Sequence, residues 1–318
     1  IQYAENPPKK YQDIYPINFE SENWEALWDE LKHVIMTWAE WGIRLIRVDN
    51  PHTKSFNFWE WVIAEVQAVY PDMIFLAEAF TKPKVMAQLA KLGYAQSYTY
   101  YTWRNNKAEL TDYMMELTHT EQKYCMRPNF WPNTHDILPW SLQGGLEPMF
   151  ITRYFMAATL SGNYGIFGPV FESMNNEANP GKEEYRNSEK YEIKHWDWSF
   201  ENKLTQIIRL TNQARVENSA LQRTNNITFC QIDNDQVLAY LKTHANGNRI
   251  LCVVNLDPYN RQGGVVRVPL SQIHKHQDQE YIVHDLLTGA KYHWKGEYNF
   301  VDLDPHIMPM HLFRIEDI

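Results

Sequence analysis

The sequence is poor in the features that mark secreted, metal-binding and membrane proteins. Its three cysteines, Cys125, Cys230 and Cys252, are an odd number without a C-x-x-C pair or metal-site spacing, which argues against disulfides and structural zinc. No apolar run approaches the ~20 residues of a membrane helix. The first residues also lack the basic and apolar regions of a signal peptide. We therefore expect a cytoplasmic protein without a metal or other cofactor.

Positive charge is scarce as well. Lys and Arg number 30 against 39 Asp and Glu, a formal net charge of −9 at pH 7. Nucleic acid and anionic membranes require a basic face, so neither is expected as a partner. Aromatic residues are abundant instead, at 12 Trp, 19 Tyr and 14 Phe. Most of these rings suit a hydrophobic core, and a few in loops would suit stacking on sugar rings.

Helical and β-rich segments alternate along the first two thirds of the chain. Apolar residues recur at steps of three and four over residues 22–41 and predict a helix that Gly42 ends. Five short strands, most of them preceded by a helical stripe, are predicted at residues 43–48, 73–76, 94–103, 128–136 and 164–168. Such alternation predicts parallel strands joined by right-handed crossovers. No G-x-G-x-x-G motif follows a strand, so a dinucleotide fold is poorly supported.

Acidic residues follow three of these strands, namely Asp49, Glu78 and Asp136. Barrel active sites are assembled at the carboxyl ends of the strands, so this pattern favours a β/α barrel over an open doubly wound sheet. Five strands are found where a barrel needs eight. We expect residues 1–218 to form the C-terminal part of a (β/α)8 TIM barrel, about strands 4 to 8, and the chain to be a fragment, a proteolytic product or the product of a split gene.

The character of the sequence changes beyond about Asn218. Short β-rich runs occur at residues 237–241, 250–254 and 265–268, and Asn246-Gly247 is a typical hairpin turn between the first two. Residues 219–318 are therefore predicted to form a small antiparallel β-sandwich domain. The predicted fold class is α/β with this all-β domain at its end.

Asp49 and Glu78 lie 29 residues apart, the length of one strand-helix-strand unit. Retaining glycoside chemistry needs two carboxyl groups about 5–5.5 Å apart, which neighbouring barrel strands can hold. Arg47 precedes Asp49 by two residues, so it is expected on the same strand face, where its charge would keep a nucleophilic Asp49 ionised. Apolar neighbours would raise the pKa of Glu78 and suit it to act as acid and then base.

Asp136 would stabilise positive charge on an oxocarbenium-like transition state, with His135 bonding a sugar hydroxyl. Taken alone, each acid could equally be a helix cap, a turn former or a surface residue. Three acids at the ends of three strands favour catalysis.

The segments around these acids resemble known sequences. Arg47-Val48-Asp49, then Glu78, then His135-Asp136 look like three conserved regions of the α-amylase superfamily. Over longer stretches, residues 4–15, 47–54, 75–81 and 164–169 resemble the bacterial α-1,4-glucan:maltose-1-phosphate maltosyltransferases, and the resemblance runs along nearly the full chain. The His-Asp pair is usual in the superfamily and does not separate a transferase from a hydrolase.

The resemblance implies transfer of maltosyl units from α-maltose 1-phosphate to the non-reducing end of an α-1,4-glucan or maltooligosaccharide. Phosphate would be released by way of a β-maltosyl-enzyme intermediate. The phosphate-contacting positions of the family fall on Asn6, Tyr11 and Asn50, and sugar-contacting positions fall on Lys190 and Tyr191. The resemblance also allows a homodimer for the full-length enzyme.

Two other interpretations remain open. An α-amylase-type hydrolase would use the same three acids with water as acceptor, and only Asn6, Tyr11 and Asn50 speak against it. A non-catalytic glucan-binding fragment is favoured by the missing strands and the aromatic content. The first conserved region of the superfamily, with its own Asp and His, would lie before Ile1, so we expect the isolated chain to be inactive.

Overall fold

A computed structural model describes residues 15–318. Asn6 and Tyr11, which the resemblance assigns to phosphate binding, lie outside the described residues. The α-helices are α1 (Trp24–Glu40), α2 (Phe56–Val69), α3 (Pro83–Lys91), α4 (Lys107–His119), α5 (Gln122–Cys125), α6 (Trp140–Gln143), α7 (Glu147–Leu160) and α8 (Lys203–Glu217). None of these helices combines the length and apolarity needed to cross a lipid bilayer.

The strands divide into a parallel set and an antiparallel set. The parallel set is β1 (Leu45–Asp49), β2 (Ile74–Glu78), β3 (Gln96–Tyr98), β4 (Pro128–Phe130) and β5 (Asn163–Tyr164). The antiparallel set is β6 (Ile227–Phe229), β7 (Gln231–Ile232), β8 (Val237–Thr243), β9 (Arg249–Asn255), β10 (Gln262–Arg267), β11 (Glu280–Asp285), β12 (Lys291–Lys295), β13 (Tyr298–Leu303) and β14 (Met310–Glu316).

The chain forms two compact units. Among the described residues, the first comprises residues 15–100 and 120–129, and the second comprises residues 101–119 and 130–318. In the first unit β1, β2, β3 and the start of β4 pair in parallel and in chain order. Helices α1, α2 and α3 precede or follow these strands as crossovers, so the predicted alternation is confirmed.

The core of the first unit lies between helix α2 and strand β2. Phe58, Val62 and Val66 of α2 are buried and recur every fourth residue, so they fall on one face of the helix. Phe75 and Ala77 of β2 are fully buried and alternate along the strand. The apolar side chains that recur with helical spacing in α2 and with alternating spacing in β2 therefore belong to one apolar layer.

The second unit holds the last parallel strand and the antiparallel sheets. Strand β5 lies beside β4, and the N–H of Gly165 donates to the carbonyl of Phe130 at 3.0 Å. Six antiparallel strands follow the order β12-β11-β14-β9-β8-β6, and three more follow the order β13-β10-β7. The hairpin turn predicted at Asn246-Gly247 joins β8 to β9, with Gly247 at φ +88°.

Three predicted strands are shorter in the structure than in the sequence pattern. Strand β3 ends at Tyr98 and a 3₁₀ turn follows, in which Tyr101 is fully buried and its hydroxyl donates to the carbonyl of Arg153 at 2.5 Å. Strand β4 ends at Phe130, and the carbonyl of Trp131 accepts from the Thr102 hydroxyl at 2.7 Å. The predicted strand at residues 164–168 is confined to Asn163–Tyr164. Tertiary hydrogen bonds replace the sheet ladder beyond these points.

Candidate functional site

The first group of candidate residues lies at the carboxyl ends of β1 and β2. Both strands are five residues long, and their last residues, Asp49 and Glu78, are direct partners in the parallel register. Their side chains therefore leave the same edge of the sheet from neighbouring strands. Asp49 and Glu78, 29 residues apart in the sequence, therefore lie on adjacent strands.

Arg47 contacts both carboxylates. Its Nη1 lies 3.4 Å from Oδ1 of Asp49, and its Nη2 lies 3.9 Å from Oε1 of Glu78. The guanidinium also lies over the ring of Tyr98, 5.7 Å from the centroid. Because residues two apart on a strand share a face, Arg47 and Asp49 are placed together as the strand period predicts. One fixed positive charge thus serves two acids.

The two carboxylates differ in exposure and in proton affinity. The Asp49 side chain is 67% exposed, whereas the Glu78 side chain is only 10% exposed. Burial raises the pKa of the Glu78 carboxyl above its usual value, and the charge of Arg47 and the N–H of Asn50 act against that rise. A buried carboxyl with a raised pKa can hold a proton and release it again, as an acid/base catalyst must.

The turn after β1 fixes the surroundings of Glu78. Asn50 adopts the left-handed conformation, φ 45° and ψ 51°, and its N–H donates to Oε2 of Glu78 at 3.1 Å. Its carbonyl accepts hydrogen bonds from Oγ1 of Thr53 at 2.8 Å and Nζ of Lys54 at 3.2 Å. Asn is one of the few side chains that tolerate this conformation. Thr53 and Lys54 therefore stabilise the turn that directs an N–H to Glu78.

His52 belongs to the same turn and was missed by sequence reasoning. It is buried at 4% exposure in the 3₁₀ turn that Pro51 begins. Its charge, when present, lowers the pKa of Glu78. The signal available in the sequence was its position three residues after Asp49, which by itself predicts nothing about burial.

The second group of candidate residues lies in the second unit, in the loop after β4. Nε2 of His135 lies 3.0 Å from Oδ2 of Asp136, and Nζ of Lys190 lies 2.5 Å from Oδ1. These two partners, with His135 contributing most, hold the pKa of Asp136 well below its usual range. The His135 ring also contacts Phe167 edge-on, at 6.1 Å between centroids. Asp136 is therefore a firmly ionised carboxylate.

Asn133 organises this loop and was also missed by sequence reasoning. Its side chain is fully buried; Oδ1 accepts from the N–H of Phe167 at 2.9 Å. Its Nδ2 donates to the carbonyl of Phe167 at 3.2 Å and to the hydroxyl of Tyr185 at 2.8 Å. One amide therefore joins the segment of His135 and Asp136 to two other segments. Such long-range bonds leave no local pattern in the sequence.

Tyr191 and its neighbours present apolar surface to solvent. The ring of Tyr191 is 82% exposed, and Ile193 and Trp198 are 90% and 75% exposed. The ammonium of Lys190 lies 5.9 Å from the centroid of the Tyr191 ring. The structure therefore brings Lys190 to Asp136 and leaves Tyr191 beside it with its ring available to a ligand.

The described residues carry no sign of a metal centre. Within residues 15–318 no three His, Cys, Asp or Glu side chains lie together as metal ligands would. The candidate residues thus form two groups, each within one compact unit. Arg47, Asp49, Asn50 and Glu78 make the first, and the second is made by His135, Asp136, Lys190 and Tyr191.

Comparison with known proteins identifies close relatives along the whole chain. The family model described as "GLGE, C-terminal" matches residues 229–315. The α-1,4-glucan:maltose-1-phosphate maltosyltransferase of Chlorobaculum tepidum is 51% identical over 99% of this chain and 48% of its own length. The protein of the same name from Methylacidiphilum infernorum is 50% identical over 99% of the chain and 47% of its own length. The chain spans about half the length of the curated relatives it matches.

Solved structures share the fold at much lower identity. The α-amylase of Geobacillus thermoleovorans, complexed with acarbose, superposes with a TM-score of 0.73 and 14% identity over 93% of this chain and 65% of its own. The cyclomaltodextrin glucanotransferase CldA gives 0.73 and 14% over 98% of this chain and 63% of its own. The predicted resemblance is thus confirmed: along nearly its whole length the chain is similar to proteins named α-1,4-glucan:maltose-1-phosphate maltosyltransferase, and it has the fold of the α-amylases.

Proposed function

We propose that this chain carries the catalytic carboxylates of a retaining maltosyltransferase, with Asp49 as nucleophile and Glu78 as acid/base. The observation that carries the proposal is the opposed pair Asp49 and Glu78, in which only Glu78 is buried and has a raised pKa. The names of the relatives support α-maltose 1-phosphate as donor and an α-1,4-glucan as acceptor. The proposal places the enzyme in bacterial α-glucan biosynthesis in the cytoplasm and allows a homodimer of the full-length protein.

In the first half-reaction a carboxylate oxygen of Asp49 attacks the anomeric carbon of maltose 1-phosphate. The bond from that carbon to the phosphate oxygen breaks, and phosphate leaves with the electron pair. A phosphate leaving group needs little protonation, so Glu78 contributes less here than it would with a sugar alcohol. Arg47, 3.4 Å from Asp49, keeps the attacking carboxylate ionised and oriented.

In the second half-reaction the 4-hydroxyl of the glucan attacks the β-maltosyl ester on Asp49. Glu78 accepts the hydroxyl proton as the new glycosidic bond forms, and the Asp49 carboxylate leaves. A carboxylate whose pKa is raised by burial is a stronger base than an exposed one. Two inversions at the anomeric carbon give net retention.

Asp136 is assigned as the third catalytic residue, and the remaining candidates bind the substrates. Asp136, ionised between His135 and Lys190, would stabilise the oxocarbenium-like transition state, and His135 would bond a sugar hydroxyl. We assign Asn50 to the donor phosphate, together with Asn6 and Tyr11, and Lys190 and Tyr191 to the sugar; these follow from the family resemblance.

Two other functions are compatible with the same residues, and the labelling and turnover experiment described below distinguishes them from a maltosyltransferase. A hydrolase would use the same carboxylates and resolve the intermediate with water. A non-catalytic glucan-binding protein would form no intermediate. The structural relatives include both an α-amylase and a glucanotransferase, so the fold does not choose between them.

The experiment uses a polypeptide of the full length of the relatives. A maltosyl donor fluorinated at carbon 2 should label Asp49, and phosphate release from maltose 1-phosphate should require glucan for turnover. Asp49→Ala should abolish both, whereas Asp72→Ala, which removes an exposed partner of Arg44, should change neither. Label on another carboxylate refutes the nucleophile, turnover with water alone indicates the hydrolase, and absence of label and turnover indicates a binding protein.

A further inference from the structure

The second unit contains a cleft that shares no residue with the candidate catalytic groups. Its volume is about 660 Å³, and its walls come from α4 and from strands of both antiparallel sheets. The residues that bear on its chemistry are Lys107, Gln231, Asp233, Val265, Arg267 and Tyr298. Clefts of roughly 300–1,000 Å³ with mostly apolar walls and a few polar groups are typical of ligand sites.

One wall of the cleft is the outer face of strands β10 and β13. Arg267 is paired with Tyr298 and Val265 with Phe300 in the antiparallel register. Directly opposed residues share a face, so all four side chains lie on one side of the sheet. The rings of Tyr298 and Phe300 are 58% and 66% exposed. The rings of Tyr298 and Phe300 are therefore neighbours on this face. Tyr298 lines the cleft and Phe300 lies beside it.

The ring of Phe300 packs against the neighbouring strand β10. A Cβ added to Gly263 of β10 would meet the Phe300 ring at 3.0 Å. Glycine weakens a strand interior and often marks the close approach of another group. Here it makes room for an aromatic ring against the strand, whose other face is presented to solvent.

The charges in the cleft are compensated. Lys107 donates to the backbone carbonyls of Ile232 at 3.3 Å and Asn234 at 3.0 Å. Burial lowers the pKa of Lys107, and the charges of Asp235 and Asp233 oppose that shift. Phosphate recognition calls for uncompensated positive charge. Because the charge of Lys107 is balanced by its carbonyl and aspartate neighbours, this wall of the cleft favours an uncharged ligand.

Arg267 shows the same compensation. Its Nε donates to Oε2 of Glu297 at 3.0 Å and its Nη1 to Oε1 of Gln231 at 3.3 Å, and the guanidinium lies 5.9 Å from the centroid of Tyr298. A flat ring beside amide and guanidinium donors matches a sugar, which has an apolar ring face and a rim of hydroxyls.

We propose that this cleft and the adjoining Phe300 ring bind an α-1,4-linked glucose chain, so that an acceptor glucan is held by residues other than the candidate catalytic groups. The choice of an α-1,4-glucan as ligand rests on the proposed function. The compensated charge, the exposed ring pair and the cleft volume carry the choice of a neutral sugar. Tyr298 and Phe300 supply the stacking surfaces, and Arg267 and Gln231 supply hydrogen bonds.

Direct binding tests the proposal without any turnover. Migration of the full-length enzyme through a gel containing glycogen, and calorimetric titration with maltoheptaose, should show binding that Tyr298→Ala and Phe300→Ala each weaken at least about fivefold. Tyr259→Ala removes a ring that is also 66% exposed but lies outside the cleft, and it should leave binding unchanged. Gly263→Ala should weaken binding with both rings retained, because the added Cβ would meet the Phe300 ring and the Val301 carbonyl, each at 3.0 Å, and the ring must move.

Kinetics separates this site from the catalytic one. Tyr298→Ala should lower kcat/KM with glycogen as acceptor at least about fivefold and leave kcat/KM with maltotetraose unchanged. Binding of glucan without maltosyl transfer would overturn the proposed function and leave the binding site standing. Transfer with unaltered glycogen binding in both ring variants would overturn the binding site and leave the function standing. Equal losses with both acceptors would also overturn it.

Discussion

The backbone N–H of Asn50 donates a hydrogen bond to Oε2 of Glu78 at 3.1 Å, which joins the residue after one carboxylate to the carboxylate opposite. This bond favours the charged form of Glu78, as does the nearby charge of Arg47. Burial favours the neutral form and outweighs both, since the pKa of Glu78 is raised. The proton affinity of this carboxyl is thus a balance that single substitutions can tip.

Arg47→Met should move the acidic limb of the pH profile for transfer to glucan towards higher pH. The positive charge of Arg47, 3.9 Å from Glu78, lowers the pKa of that carboxyl. Without this charge the pKa rises, and Glu78 becomes the carboxylate base only at a higher pH. We also expect kcat to fall about 10–100-fold, because Asp49 loses its partner. The control is Arg44→Met, which removes a guanidinium bonded to Asp72. A limb that moves to lower pH would contradict this account.

Glu78→Gln should stabilise the fold at neutral pH while abolishing transfer. A carboxyl whose folded pKa lies above its unfolded value near 4.5 is stabilising below that value. That stability is lost as pH rises through the folded pKa, and Gln suffers no such loss. We expect a melting temperature about 2 °C higher at pH 7.5 and a smaller difference at pH 4. Glu65→Gln, at an exposed residue bonded to Lys32, is the control.

The opposite result would be a wild-type protein that melts at a higher temperature than Glu78→Gln at pH 7.5 and loses this advantage in acid. It would show that folding lowers the pKa of Glu78 and that the hydrogen bond from Asn50 outweighs burial. Thermal unfolding followed by circular dichroism over this pH range decides between the two.

Lys190→Met should narrow the pH range of activity on its acidic side. The ammonium of Lys190 lies 2.5 Å from Oδ1 of Asp136 and helps to hold the pKa of that carboxyl low. Without it Asp136 becomes protonated at a higher pH, and activity is lost earlier as pH falls. Lys194→Met is a matched control, because Lys194 pairs with Glu192 instead. Identical profiles for the two variants would show that the contact with Asp136 has no part in turnover.

Asn133→Ala should impair both stability and transfer. It leaves the N–H and carbonyl of Phe167 and the hydroxyl of Tyr185 without their buried partner. Tyr185→Phe removes only one of these bonds and should cost about 1 kcal/mol in the free energy of unfolding. If Asn133 positions His135 and Asp136, kcat falls in the Ala variant even at temperatures where circular dichroism shows it folded. Unchanged kcat in the folded variant would reduce Asn133 to a stability role.

The sequence predicted the parts of this structure that depend on short-range periodicity. Strands β1 and β2 and the opposed positions of Asp49 and Glu78 follow from helix and strand patterns one unit apart. The approach of Lys190 to Asp136 could not be predicted, because the two residues are 54 positions apart in the sequence. The same holds for Asn133, whose three hydrogen bonds join segments distant in sequence. Such contacts exist only once the chain is folded.

The outer edge of β1 bears on whether the chain associates. Within residues 15–318 this strand pairs on one side only, with β2, and Leu45 on it is 55% exposed. Trp38 and Trp41, at and just after the end of α1, are 49% and 71% exposed. A strand edge with unpaired backbone groups beside exposed apolar residues promotes association. The relatives are about twice as long as the part this chain matches, so further polypeptide could cover the edge.

We therefore expect the 318-residue chain, expressed alone, to associate and to be inactive on maltose 1-phosphate. A polypeptide of the relatives' full length should be monodisperse and active. Leu45→Lys in the short chain should reduce association, since a charge opposes edge pairing, without restoring activity. Tyr124→Lys, at a tyrosine that is 82% exposed elsewhere, is the matched control. Light scattering and phosphate release measure the two properties, and a monomeric, fully active short chain would show that β1 needs no further partner.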